Sequence, residues 1–113
     1  MDIKDKIEEF GKLPYGWDNG EGYAPKRDVM NKAIEIVDIC LVKNLCVNAT
    51  PLNGGICLTI FKKSDDYFVC VSIYENLTLD YVIEKGKGSK YDIFEYEDGV
   101  SLDKLVEILI ICH

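Results

Sequence analysis

The chain has 113 residues, 48% of them apolar and 29% charged, with 20 acidic side chains against 13 basic ones and a net charge of -7. That length makes residues 1–113 one domain, large enough to bury a core without disulfides or metals, and the balance argues against a disordered or membrane-spanning chain. The acidic surplus argues against generic binding of DNA or RNA, which depends on clustered Lys and Arg; it favours a protein partner with a basic surface, although acidity also serves solubility.

In chain order, MDIKDKIEEF carries acids and lacks the apolar region and small-residue cleavage site of a signal or transit peptide, so a cytoplasmic location is expected. Asp2 is placed to cap a short helix running through about Phe10, with Ile3, Ile7 and Phe10 on one apolar edge and Gly11 ending it. The stretch GWDNGEGYAP, residues 16–25, then holds the one tryptophan of the chain. A Trp buries on the order of 200 Å², so Trp17 is expected as a plug folded back over the core, with Gly16, Gly20 and Gly22 allowing the necessary turns. The polar rim of this loop, Asp18, Asn19, Glu21 and Tyr23, is a candidate contact surface. Pro25 suits the first turn of a second helix, whose stripe of Val29, Ala33, Ile36, Val37, Cys40 and Leu41 runs to the region of Lys43 and Asn44.

From there the apolar period becomes two. Residues 45–50 read as a short edge strand closed by the turn formers PLNGG. Ile56, Leu58 and Ile60 share one face of the next strand; after the turn KSDD, Tyr67, Val69, Val71 and Ile73 share a face of its antiparallel partner. Beyond a turn near Asn76, Leu77, Leu79, Tyr81 and Ile83 are expected inward and Thr78, Asp80 and Glu84 outward. KGKGSK, residues 85–90, reads as a flexible loop, YDIFEYE as a further strand and EDG as a turn. Ser101 is a good N-cap for a final helix with Asp103 near its positive end and Leu102, Leu105, Val106, Leu109 and Ile110 buried. LVEILIIC, interrupted by Glu107, is far short of the roughly 20 residues that cross a bilayer.

Strands with one apolar face and two longer amphipathic helices predict an α+β fold: two layers, with a mostly antiparallel four- to five-stranded meander sheet and helices packed on one face. Phe61, Phe68, Cys70 and Tyr74 are expected on the opposite face, marking an interface, including one with a second copy of the chain, or a surface covered by another helix or loop.

LPYGWDNGEGYAP, a helix, PLNGGICLTI and a strand pair together resemble a widespread group of uncharacterised small bacterial proteins with a Trp-Asp-Gly-x-Gly-Ala loop ahead of a helix and a Pro-x-x-Gly-Gly turn ahead of a strand meander. Trp17, Asp18, Gly20, Gly22 and Ala24 match the first motif and Pro51, Gly54 and Gly55 the second. Asn19 and Tyr23 lengthen the loop relative to that pattern. The resemblance spans most of the chain and implies the fold; it implies no activity.

Five cysteines, Cys40, Cys46, Cys57, Cys70 and Cys112, are an odd number without an export signal and are expected reduced. No Cys-x-x-Cys pair occurs and the one histidine, His113, is the last residue, so neither a metal site nor a Cys–His nucleophile is expected. No spacing of carboxylates picks out an acid and a base, and a hydrolase resting on Asp18 and Glu21 has little to support it. The loop glycines lack the Lys-Ser or Lys-Thr ending of a phosphate loop; Lys26 and Arg27 are expected to offset Asp18 and Glu21. With no catalytic constellation and no cofactor expected, the reading is a small acidic non-enzymatic protein-binding module, an inhibitor of the antitoxin, immunity or anti-defence (anti-CRISPR-like) kind, with Tyr91, Phe94, Glu95, Tyr96, Glu97 and Asp98 as its partner-binding strand. The alternative is a small-ligand binder or carboxylate-dependent enzyme using the Trp17 loop as a pocket wall.

Overall fold

The computed structural model describes residues 2–17, 20, 22–61, 67–87, 90–101 and 103–107, with side chains described except at 67, 84–87 and 90–100. Helices α1 (Ile3–Phe10) and α2 (Arg27–Val42) precede strands β1 (Cys46–Leu52), β2 (Gly55–Phe61), β3 (Tyr67–Ile73), β4 (Leu79–Lys87) and β5 (Lys90–Val100). The strands form one sheet in the order β1-β2-β3-β4-β5, each neighbour antiparallel, so the fold is an α+β meander with β1 and β5 at its edges.

Period-two patterning sets the sheet register. Ile56 pairs with Ile73, Leu58 with Val71 and Ile60 with Val69, and these meet Leu79, Tyr81 and Ile83 on β4; all nine are buried. A slip of one residue would turn this apolar set away from the helices. Ile7 and Phe10 of α1 and Val29, Met30, Ala33, Ile36, Val37 and Cys40 of α2 belong to the same core cluster, so the helices cover that face.

The helix ends follow local chemistry. The Asp2 carboxylate accepts from the Lys4 N–H at 3.1 Å, capping α1. Gly11 follows with a right-handed φ of -66°; a β-carbon there would come within 2.8 Å of the Met30 thioether, the flexible end of a side chain that can shift. At the end of α2, Asn44 adopts φ 58° and its N–H donates to Leu41 O while the Leu45 N–H donates to Cys40 O, a Schellman closure joined by the buried pair Cys40 and Leu45. Lys4–Asp38 and Arg27–Glu8 ion pairs tie α1 to α2 at the surface, the latter at 2.8 Å. The Arg27 guanidinium, hydrogen-bonded to Glu8, holds that carboxyl below its ordinary range.

Several expectations are corrected. Pro25 is buried but precedes α2, whose N-cap is Lys26. Leu41 is 49% exposed, one position round the helix from the fully buried Cys40 that carries the stripe into the last turn, and Met30 is an additional core residue. Leu77 is exposed in the turn before β4, at φ 69°, and Tyr74 lies past the end of β3 rather than on its outward face. Residues 85–87 continue β4 and residue 90 opens β5, so KGKGSK is mostly strand; β5 likewise runs through residues 97–100, where a turn was expected. The β4–β5 register shifts between Leu79/Tyr81 and between Ile83/Glu84, and bulges of this kind let the ladder continue.

Residues 103–107 are helical after Ser101, whose Oγ accepts from the Lys104 N–H at 3.1 Å, and Leu105 enters the core. Leu102, Leu109 and Ile110 lie outside the described residues. Among the described residues, no helix is long and apolar enough to cross a membrane.

Candidate binding surface

The two glycine-bearing motifs meet at one end of the sheet. In the first loop, the Trp17 N–H donates to Pro14 O at 3.1 Å, the Gly20 N–H to Gly16 O at 2.9 Å and the Gly16 N–H to Gly22 O at 2.9 Å, with Gly16, Gly20 and Gly22 all at positive φ. This fold of the loop carries Tyr23 onto the β1–β2 turn. The Tyr23 N–H donates to Asn53 Oδ1 at 3.0 Å, while its carbonyl accepts from the Gly54 N–H at 2.9 Å and from Trp17 Nε1 at 3.1 Å. One peptide segment is thus held by both motifs.

Trp17 is half-buried and lies outside the core cluster. It was expected as a plug over the helix–sheet core; instead its indole N–H braces the loop against its own returning segment at Tyr23, which explains why an amphipathic aromatic stands here.

The β1–β2 turn is narrow for a backbone reason. Gly54 sits at φ +71°, and a β-carbon on Gly55 would stand 2.3 Å from the Ile73 carbonyl oxygen. The β3–β4 turn lies beside it. Asn76 Oδ1 accepts from the Thr78 N–H at 3.1 Å and from its hydroxyl at 2.7 Å, and Glu75 pairs with Lys26 at 3.3 Å. Between the two turns runs a groove of about 470 Å³ lined by Asn53, Tyr74, Glu75, Asn76 and Thr78.

This end is also where aromatic surface collects. Tyr15 and Tyr23 are 71% and 61% exposed with ring centroids 4.8 Å apart, and Tyr74 and Leu77 are each 41% exposed. Among the described residues, the other large exposed apolar side chains, Leu41 and Val42, lie at the end of α2. On the outward sheet face, Phe61 and Phe68 pair in register with rings 6.1 Å apart and are half-buried, as is Cys70.

Of the residues expected to form the loop surface, Tyr23 is placed as described, whereas Asp18, Asn19 and Glu21 lie outside the described residues. Lys26 and Arg27 have partners in Glu75 and Glu8, on other elements than the loop they were expected to neutralise. Tyr91, Phe94, Glu95, Tyr96, Glu97 and Asp98 all fall on β5, an edge strand, where Glu95 is the register partner of Ile83, Tyr96 of Val82 and Glu97 of Tyr81; their side chains are outside the description. Cys40, Cys46, Cys57 and Cys70 stand as thiols rather than disulfides, and Cys112 lies outside the described residues. Burial pushes the Cys40 thiol up to about 11, leaving it protonated at neutral pH and a poor nucleophile. Among the described residues, no group of three or more His, Cys, Asp or Glu side chains is arranged to hold a metal ion.

Asn53, Glu75, Asn76 and Tyr15 were not singled out as a site in the sequence, where Asn53 and Asn76 read only as turn residues, and Tyr74 was expected with the outward sheet face rather than here. Comparison of the chain with family models, curated proteins and solved structures returned no match.

Proposed function

We propose that the protein is a small acidic protein-binding module that works without catalysis, a cytoplasmic inhibitor of the antitoxin, immunity or anti-defence kind whose partner presents a basic surface. The observation that carries this reading is the gathering of exposed tyrosines on a loop braced by hydrogen bonds, in a chain with a net charge of -7. Tyrosine supplies large contact area at low conformational cost and is enriched at protein interfaces. The edge position of β5 supports a second part of the same reading: a strand with Glu95, Glu97 and Asp98 in its sequence borders the sheet, where a partner can approach.

The test uses a partner purified by affinity capture and its association kinetics with the intact protein. Reversing Glu95 and Glu97 to Lys should slow association about tenfold at low salt and flatten its salt dependence, because steering acts mainly on the on-rate. Kinetics unaltered across low and moderate salt would refute a role for β5. The groove between the turns, which adjoins the Trp17 loop through the Asn53–Tyr23 hydrogen bond, favours a second reading, a small-ligand binder; a saturable small molecule that excludes the protein partner would establish it.

A further inference from the structure

We infer that the groove between the β1–β2 and β3–β4 turns, with the Tyr15–Tyr23 pair beside it, is the docking site for an extended, lysine-bearing segment of the protein partner. The inference rests on the binding-module reading and names the surface and the chemistry of what it takes. The two asparagines are positioned for peptide carbonyls. Asn53 spends its Oδ1 on the Tyr23 N–H, and Asn76 spends its Oδ1 on Thr78. Each amide is therefore held with its NH2 turned away from those bonds, and neither Nδ2 donates to another of the described residues. A pair of oriented amide donors suits the main-chain carbonyls of an extended peptide.

The charge in the groove selects the side chain. Among the described residues Glu75 is the one carboxylate lining it, and its present partner, Lys26, is held in an exposed pair, with Lys26 72% and Glu75 61% accessible. Exposed pairs of this kind contribute about 0–1 kcal/mol, so an incoming lysine can replace Lys26 without a large cost. The exposed rings of Tyr15 and Tyr23 offer faces for an aliphatic stem and its ammonium. Continuity with β5 adds to this: Leu79, which follows the turn, pairs with Val100, so the strand end carrying Glu97 and Asp98 in sequence reaches the same end of the sheet.

The experiment is a two-dimensional NMR titration of the intact, isotope-labelled protein with a short synthetic peptide of alternating lysine and alanine, and with its glutamate–alanine counterpart. The lysine peptide should give saturable shifts at the amides of residues 53–54 and 74–78, and the glutamate peptide none there. Glu75→Gln should weaken the lysine peptide by about threefold or more, and Lys26→Ala should tighten it by a similar factor, since it removes the competitor for Glu75. A purely structural role for the Lys26–Glu75 pair would not produce that tightening. Shifts confined to residues 90–100 would overturn the groove assignment while leaving the binding-module reading in place. Equal response to both peptides, no saturable shift, or weaker binding in Lys26→Ala would each overturn the inference.

Discussion

Three glycines make different demands, and replacing each by alanine separates the physical reasons. At Gly55 the added methyl would lie 2.3 Å from the backbone oxygen of Ile73 and 3.4 Å from its carbonyl carbon. Neither side can retreat cheaply, because the adjoining residues Ile56 and Ile73 are register partners and fully buried. Overpacking ordinarily costs about 1–3 kcal/mol, and a clash with fixed backbone belongs at or above the top of that range. With an unfolding entropy of roughly 2.1 cal/mol/K per residue, a chain of this length loses about 13 °C of Tm for 3 kcal/mol. At Gly54 the obstacle is φ +71°, while the nearest atom to a new methyl is a Glu75 carboxylate oxygen at 3.4 Å; left-handed backbone costs an alanine about 1 kcal/mol, or roughly 4 °C on the same entropy scale. At Gly11 the backbone is already right-handed and the clash is with the flexible end of Met30, so Gly11→Ala should fall within about 0.5 kcal/mol of the parent. Urea and thermal unfolding followed by circular dichroism would order the variants Gly55→Ala, Gly54→Ala, Gly11→Ala from most to least damaging. A Gly55→Ala variant as stable as Gly54→Ala would refute the close-approach reasoning.

Trp17→Phe keeps an aromatic ring while removing the bond to the Tyr23 carbonyl and part of the contact area of the half-buried indole, so it should cost at least about 1 kcal/mol; combined with Asn53→Ala in a double-mutant cycle, it should show coupling of at least about 0.5 kcal/mol, because both partners hold Tyr23. Iodide should quench Trp17 emission partially, as fits a half-buried indole. Asn44→Ala should lower stability by about 1 kcal/mol, whereas Asn44→Gly should match or exceed the parent in denaturant melts, since only the left-handed conformation is at issue. Cys40 has a folded pKa raised from 9.0 to about 11 by burial, so the unfolded chain loses its thiol proton first; stability should be undiminished by this group below pH 9 and fall as pH rises from 9 towards 11. Cys40→Ala should flatten that part of a pH–Tm profile.

The strand and helix layers were legible because they depend on periodicity. Ile56, Leu58, Ile60, Val69, Val71 and Ile73 alternate in sequence and are buried in the fold, and the four-and-three spacing of Ile3, Ile7 and Phe10 places Ile7 and Phe10 in the core with Ile3 packed against it. Asp2 and Ser101 act as the caps their chemistry suggests, since a cap is a bond between neighbours in the chain. The candidate site was not legible in the same way. Tyr23 is held through Asn53 and Gly54, about thirty residues away, and no local rule says which turn a loop will dock against.

Trp17 shows the difference most clearly. Hydrophobicity alone favours burial in the core, but the loop's path brings a carbonyl within reach of its indole N–H, and that bond holds the ring at the edge. Likewise, the sequence determined that a turn at Asn53 and Gly54 leads into the strand opened by Gly55, through the intrinsic preferences of Asn and Gly. Only the tertiary structure decided that Gly55 must remain glycine, because the oxygen that forbids a β-carbon there belongs to Ile73, on the neighbouring strand.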